Sequence, residues 1–169
     1  SSPRRAKSAD RMLGAMRKLR DFIGGSVVRS TIAGILATAQ RAYVSDKRYQ
    51  IRIEVQSRYL PDQSDPDAGR YGFAYTIRIT NTGNVTSQLI SRHWLIRDDA
   101  GRLVEVKGLG VVGHQPLLQP GQSFEYTSGS QIGTPSGSMH GSYFFVAEDG
   151  HRFDAPIPEF ALSMPRTLH

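Results

Sequence analysis

The sequence predicts an all-β domain, an antiparallel β-sandwich, from about Tyr49 to the C-terminus. Apolar and polar residues alternate in short stretches such as YQIRIEV and YGFAYTIRIT, which is typical of strands with one buried face. The 17 glycines and 9 prolines supply turns between these stretches. No helical pattern separates them, so the crossover helices that a parallel α/β fold requires are missing.

The predicted strands follow one another at short intervals along the chain. The first begins at Tyr49 and the second covers residues 71–80. One or two strands in SQLISRHWLIRD carry Trp94, which we expect in the core, and the turn Asp98–Gly101 leads into RLVEV. SFEYTS and the hairpin GSYFFVAEDGHRF come next. The closing segment APIPEFALSM is predicted to be an edge strand, because proline cannot donate to a sheet ladder.

The net charge of +6 is divided unevenly along the chain. Residues 1–48 hold 11 Lys and Arg against three Asp, a balance of +8, whereas residues 49–169 hold 10 basic and 12 acidic residues, a balance of −2. A nucleic-acid-binding domain usually carries a basic face of its own, so we expect residues 49–169 to bind no nucleic acid. Contact with a polyanion or a membrane surface is expected only from residues 1–48.

Residues 1–48 form a basic N-terminal arm that is predicted to be partly helical or disordered. Apolar side chains recur at helical spacing in residues 11–23 and again in residues 27–42. Three interpretations stay open: a mobile helical extension, a basic amphipathic helix that binds a membrane surface, and a targeting segment. A membrane span is not expected, because the apolar run at residues 31–39 is far shorter than the roughly 20 residues that a bilayer needs.

The sequence also limits the chemistry that we expect. There is no cysteine, which excludes disulfides, thiolate metal sites and thiol nucleophiles and is compatible with the cytoplasm, where we expect the protein. No serine lies in a G-x-S-x-G elbow, and no two of the five histidines are spaced as neighbouring metal ligands. We therefore predict no catalytic residue, no metal ligand and no cofactor.

One motif is associated with phosphate binding. Gly108, Gly110 and Gly113 match G-x-G-x-x-G directly after the strand RLVEV. In dinucleotide-binding folds the third glycine opens a helix whose N-terminus holds the pyrophosphate, but Pro116 and Pro120 oppose such a helix here. The sequence therefore predicts a glycine-rich loop whose backbone needs positive φ or close approach. A nest of loop amides that binds an anion without a helix stays the alternative.

Five segments, in the same order from residue 59 to residue 169, resemble the ApaG family: YLPDQSDPDAGRYGFAYTIRITNTG, RHWLIRDDAG, EVKGLGVVGHQPLLQPGQSFEYTSG, GSMHGSY and PRTLH. The resemblance implies an ApaG domain at residues 49–169 with a fibronectin-III/immunoglobulin-like sandwich. It also implies a link to cobalt resistance and magnesium efflux, and protein binding as the usual role of related domains. The family's glycine motif, with its suggested pyrophosphate binding, falls on Gly108, Gly110 and Gly113. Residues 1–48 are extra to the bacterial members of the family.

We therefore expect a non-enzymatic module that binds an unidentified protein partner through a sheet face, a sheet edge or the loops. An exposed apolar patch would be its sign. The alternative is a small-ligand binder that takes phosphate, pyrophosphate or a divalent metal through the loop Gly108–Gly113. A third reading, a hydrolase of nucleotide polyphosphates, would need a metal–carboxylate cluster that the sequence does not show.

Overall fold

Two antiparallel sheets make up the computed structural model, which describes residues 46–166 of the chain. Their strands are β1 (Ile51–Tyr59), β2 (Tyr71–Asn81), β3 (Ser87–Asp98), β4 (Leu103–Leu109), β5 (Leu117–Leu118), β6 (Ser123–Ile132), β7 (Ser136–Ala147) and β8 (Arg152–Ser163). Single turns of 3-10 helix at Lys47–Tyr49, Pro61–Gln63 and Pro66–Ala68 are the helical segments of this part of the chain. The helices predicted for residues 11–23 and 27–42 lie outside the described residues.

The smaller sheet has three strands in the order β1-β2-β6, and the larger sheet has the order β4-β3-β7-β8, with β5 also paired to β3. The predicted fold class, an antiparallel β-sandwich of the fibronectin-III/immunoglobulin-like type, is therefore confirmed. β8 lies at one edge of the larger sheet, as its prolines predict, and β4 lies at the other edge. The two sheets thus differ in the number of strands, and β4 lies at an edge of the wider one.

The core lies between the sheets, and strands from both supply it. On β2, the alternate residues that the sequence places on one face include Phe73, Tyr75, Ile77 and Ile79, and these four are buried. Trp94 of β3 is 2% exposed, and its ring lies 5.5 Å from that of Tyr75 across the sandwich, which confirms the core position predicted for it. Burying a large apolar side chain contributes about 1.5–3 kcal/mol, so this face of β2 is a main source of stability.

The start of the first strand differs from the prediction. Tyr49 belongs to a 3-10 turn, which Asp46 caps by accepting a hydrogen bond from the amide of Arg48, and β1 begins only at Ile51. The Tyr49 ring stacks on His151, with 4.0 Å between ring centroids, so it packs against the β7–β8 turn. Tyr49 is therefore packed against the protein, as the alternation of YQIRIEV suggests, but it lies in a turn and not in the strand.

SQLISRHWLIRD forms one strand, β3, with an irregularity that explains why its pattern is ambiguous. The register with β7 shifts between Leu89 and Ser91, so Ile90 is the extra residue of a β-bulge. Leu89 and Trp94 are five residues apart and would face opposite sides of a regular strand. The bulge turns both toward the core, where Leu89 is 0% exposed.

Two tyrosine hydroxyls meet in the core and join the two sheets. Tyr126 of β6 and Tyr143 of β7 have their hydroxyl oxygens 2.5 Å apart. Burial raises the pKa of both side chains above the ordinary tyrosine value, so both stay protonated at neutral pH. The pair satisfies two polar groups that would otherwise be buried without a partner.

Replacing Tyr143 by Phe is expected to lower the free energy of unfolding by about 1–3 kcal/mol, because it leaves the Tyr126 hydroxyl buried and unpaired. The double variant Y126F/Y143F is expected to recover much of that loss, because both polar groups are removed together. Urea unfolding of the four proteins completes the cycle. A double variant as unstable as the sum of the two single variants would contradict the pairing.

Candidate binding surface

The large hydrophobic side chains that are exposed among residues 46–166 all lie in one stretch of the chain, residues 103–117. Their exposed fractions run from 36% to 76%, although four of them belong to β4 and a fifth to β5. We call them the apolar strip: Leu103, Val104, Val106, Leu109, Val112 and Leu117. Single exposed apolar residues are ordinary on a protein surface, but the confinement of all six to one stretch of the chain makes that stretch the candidate binding surface.

The strand β4 carries most of the apolar strip and is an open edge. It pairs with β3 from Leu103 opposite Arg97 to Leu109 opposite Ser91, and no strand of residues 46–166 pairs with its other side. The amide of Asp98 donates to the carbonyl of Arg102 at the start of the hairpin. Since pairs in an antiparallel ladder alternate, the amides and carbonyls of residues 103, 105, 107 and 109 point away from β3.

The side chains of β4 divide between the two faces of the larger sheet. Val104 and Val106 lie opposite Ile96 and Trp94, on the face that covers the core, yet they are 40% and 36% exposed. The smaller sheet has only three strands and does not bury them. The outer face carries Leu103 and Leu109, with Glu105 and Lys107 between them.

Charges on the outer face are paired with one another. Glu105 Oε1 lies 2.6 Å from His93 Nε2 and 3.1 Å from Lys107 Nζ. Hydrogen bonds from Lys107 and then His93 hold the pKa of the Glu105 carboxyl below its ordinary value. Glu105 is therefore charged at neutral pH, although the pairs are solvent-exposed and contribute little to stability.

Beside the strip, the outer face of the larger sheet holds an open groove of about 450 Å³. Residues of β3, β4, β7 and β8 line it, among them His93, Lys107, Leu109, Ser142, Phe144 and Asp154. Side chains of both charges and one aromatic ring thus adjoin the apolar strip.

The first glycine of the motif, Gly108, lies within β4 and makes room for Arg92. A Cβ at this position would lie 2.9 Å from the guanidinium carbon of Arg92. Arg92 Nη1 donates to the carbonyls of Leu109 and Gly110, both at 2.9 Å. The side chain of Arg92 therefore holds the end of β4 against the loop that follows.

The other two glycines shape the backbone of that loop. Gly110 has φ 60° and Gly113 has φ 82°. The Val111 amide donates to the His114 carbonyl at 2.8 Å and the His114 amide returns a bond at 2.9 Å, which closes a two-residue turn around Val112 and Gly113. Positive φ at both central residues makes this a type I′ turn. Gly110 and Gly113 thus have the predicted positive φ, whereas Gly108 leaves space for a side chain.

These bonds determine which loop amides could meet an anion. The amide of Gly110 donates to Ile90 at the β3 bulge at 2.8 Å, and those of Val111 and His114 are used within the turn. Gly113 opens no helix, since β5 follows. Phosphate binding at Gly108, Gly110 and Gly113 stays a prediction, and the amides left to serve it are those of Val112 and Gly113 at the turn tip and of Leu109 at the strand edge.

Two further features concern metal ligands and membrane-spanning helices. No group of three or more His, Asp and Glu side chains among residues 46–166 is arranged to hold a metal ion. Within the same residues, no helix is long and apolar enough to cross a bilayer.

The apolar strip itself was missed from the sequence. The available signal was the presence of Leu103 and Leu109 on the same face as Glu105 and Lys107.

Val112 is a β-branched residue with φ 45°, a conformation that is costly for such side chains. Val112→Asn is expected to raise the free energy of unfolding by about 1 kcal/mol, because Asn adopts positive φ readily and suits a type I′ turn. Thermal or urea unfolding measures the change. Val104→Asn is the matched control. Val104 lies in a strand and does not have positive φ, so this substitution is expected to lower the free energy of unfolding. Equal effects of the two substitutions would contradict the strain at Val112.

The ApaG domain family matches residues 61–147. Protein ApaG of Ralstonia nicotianae is 66% identical over 122 residues, which are 72% of this chain and 98% of that relative. Protein ApaG of Nitrosospira multiformis is 65% identical over 123 residues, with shares of 73% and 97%.

A solved structure shares the architecture as well. The crystal structure of a Bordetella pertussis protein named ApaA has a TM-score of 0.70 and 56% identity. The match covers 73% of this chain and all of that one. Residues 1–45 lie outside what the structure describes, so the comparison concerns the sandwich. The family model, the relatives and the shared fold agree, and the chain belongs to the ApaG family.

Proposed function

We propose that this chain is a protein-binding module without catalytic activity and that it docks an extended segment of its partner along the edge of β4. The observation that carries the proposal is the apolar strip: the exposed large hydrophobic residues of the described chain all lie at residues 103–117. The strip coincides with an edge whose backbone groups at residues 103, 105, 107 and 109 point outward. Backbone bonds would supply affinity and the apolar side chains specificity.

The energetics favour a strand as the bound element. Natural proteins protect open edges with charges, prolines or bulges, because an unprotected edge pairs with other chains. β4 has a charged pair on one face only, and its other face presents Val104 and Val106. An added strand would remove these side chains from water at roughly 25 cal/mol per Å² of apolar area. The outer face of the smaller sheet offers no comparable surface, since it carries Arg52, Arg78, Glu125 and Thr127.

The remaining expectations fit within this proposal. The link to cobalt resistance and magnesium efflux that the family resemblance implies would be carried by the partner that the strip binds. We propose the cytoplasm as the location, supported by a sequence without cysteine. The balance of −2 over residues 49–169 supports a protein partner over a nucleic acid.

Site-specific photo-crosslinking tests the docking surface. A benzophenone amino acid replaces Val106 in the full chain, or Arg78 on the smaller sheet as the control, and cell lysate is irradiated after mixing. We expect covalent protein adducts from position 106 and none from position 78. Leu103→Ser together with Leu109→Ser is expected to lower the adduct yield at least about tenfold, as the loss of central apolar contacts does. Equal adducts from both positions, or none from 106, would overturn the proposal.

The phosphate alternative has its own test. Amide NMR of the full chain is followed during titration with inorganic pyrophosphate, alone and with Mg²⁺. We expect no saturable shifts at residues 110–114, because the amides of Gly110, Val111 and His114 already donate within the protein and those of Val112 and Gly113 are too few to hold the anion alone. Titration with chloride at equal ionic strength is the control. Saturable shifts centred on this loop would place ligand binding ahead of protein docking.

A further inference from the structure

We infer that one partner of the β4 edge is a second copy of this chain. Two β4 strands pair antiparallel, related by a twofold axis that passes beside Val106. The inference rests on the proposed function, since it uses the same edge, and it deepens it by naming the occupant. It comes from the pattern LVEVKGL, which is complementary to itself when one copy is reversed.

The backbone permits this pairing. With Val106 opposite Val106 of the second copy, Glu105 lies opposite the second copy's Lys107, and Leu103 lies opposite the second copy's Leu109. These odd-numbered residues direct their amides and carbonyls away from β3, so the two central pairs of Glu105 with Lys107 can exchange hydrogen bonds. A shift by one residue would place outward-directed groups opposite inward-directed ones and would lose the ladder. The carbonyl of Leu109 already accepts from Arg92, so the central pairs carry the ladder.

The charges then select one register from those that the backbone allows. A shift of two residues in either direction places Glu105 opposite Glu105 or Lys107 opposite Lys107, and like charges directly opposite are destabilising. Only the axis beside Val106 pairs each Glu105 with a Lys107. The internal pair of Glu105 with Lys107 at 3.1 Å becomes part of a four-charge cluster on the outer face.

Apolar contacts complete the interface on both faces. On the outer face, Leu103 of each copy meets Leu109 of the other at the two ends of the charged centre. On the inner face, the two Val106 side chains meet at a non-hydrogen-bonded position, where opposing side chains are closest. Val104 lies opposite the second copy's Gly108, where the guanidinium of Arg92 covers the glycine. Each copy thus covers the side chains that the three-stranded sheet leaves exposed.

Sedimentation equilibrium of the full chain measures the association. We expect a monomer of 18.7 kDa that converts to a dimer as concentration rises through the range from about 1 μM to about 1 mM, as suits a small interface. E105K and K107E are each expected to raise the dissociation constant at least about tenfold, because each creates two like-charge pairs. An equimolar mixture of the two variants, and the double variant E105K/K107E, are expected to regain the dimer.

The control for charge reversal is an equivalent pair on β1. Arg52 and Glu54 are also two residues apart on an edge strand, with 3.7 Å between Arg52 Nε and Glu54 Oε2. R52E and E54R are expected to leave the association unchanged. A monomer at every concentration would overturn the inference, while adducts of another protein at position 106 would leave the proposed function standing. A dimer whose dissociation constant is unchanged by E105K and K107E would also overturn the inference.

A disulfide provides a second, independent readout. The chain has no cysteine, so V106C introduces a single thiol. At the axis its two copies would lie opposite each other at a distance that suits a disulfide. Under mild oxidation we expect a covalent dimer for V106C, formed at least about tenfold faster than for V104C, whose thiol would face Gly108. Equal rates for the two variants would overturn the register.

Discussion

The unequal width of the two sheets is the constraint on which the rest of this structure depends. Three strands face a sheet in which β4 is the outermost strand of the order β4-β3-β7-β8. The inner face of β4 therefore extends beyond the core, and Val104 and Val106 remain partly exposed although they lie on the face that covers the core. The same geometry leaves the outward-facing backbone groups of β4 without a neighbouring strand among residues 46–166. A single architectural difference thus produces both an apolar surface and an open edge.

The glycine motif acquires a structural explanation from the same region. Gly108 leaves room for the guanidinium of Arg92, which binds the carbonyls of Leu109 and Gly110 and so fixes the point where β4 ends. Gly110 and Gly113 adopt the positive φ that the following turn requires. Val111, between them, is fully buried and anchors the loop to the core. The loop is thereby held in position beside the edge, and its glycines are needed for that whether or not an anion binds.

Much of the fold could be predicted from local patterns, and what could not be predicted depends on non-local pairing. The alternation of β2, the buried Trp94 and the edge position of β8 follow from periodicity and from proline chemistry. The bulge at Ile90 could not be read, because it shows only when β3 is aligned with β7. The apolar strip was missed for a similar reason. RLVEV is predicted to be a strand, but only the number of strands in the opposite sheet decides whether Val104 and Val106 are covered.

The charges on β4 also take on a different meaning once the edge is seen to be self-complementary. Charged side chains on an edge strand commonly prevent pairing, but Glu105 and Lys107 have opposite signs and are spaced symmetrically about Val106. Reversed on a second copy, they attract in one register and repel in the neighbouring ones. They therefore select a partner and an alignment, while the apolar residues supply the area. A different protein that docks on β4 must then compete with the second copy, so the free edge becomes scarcer as the concentration of the chain rises.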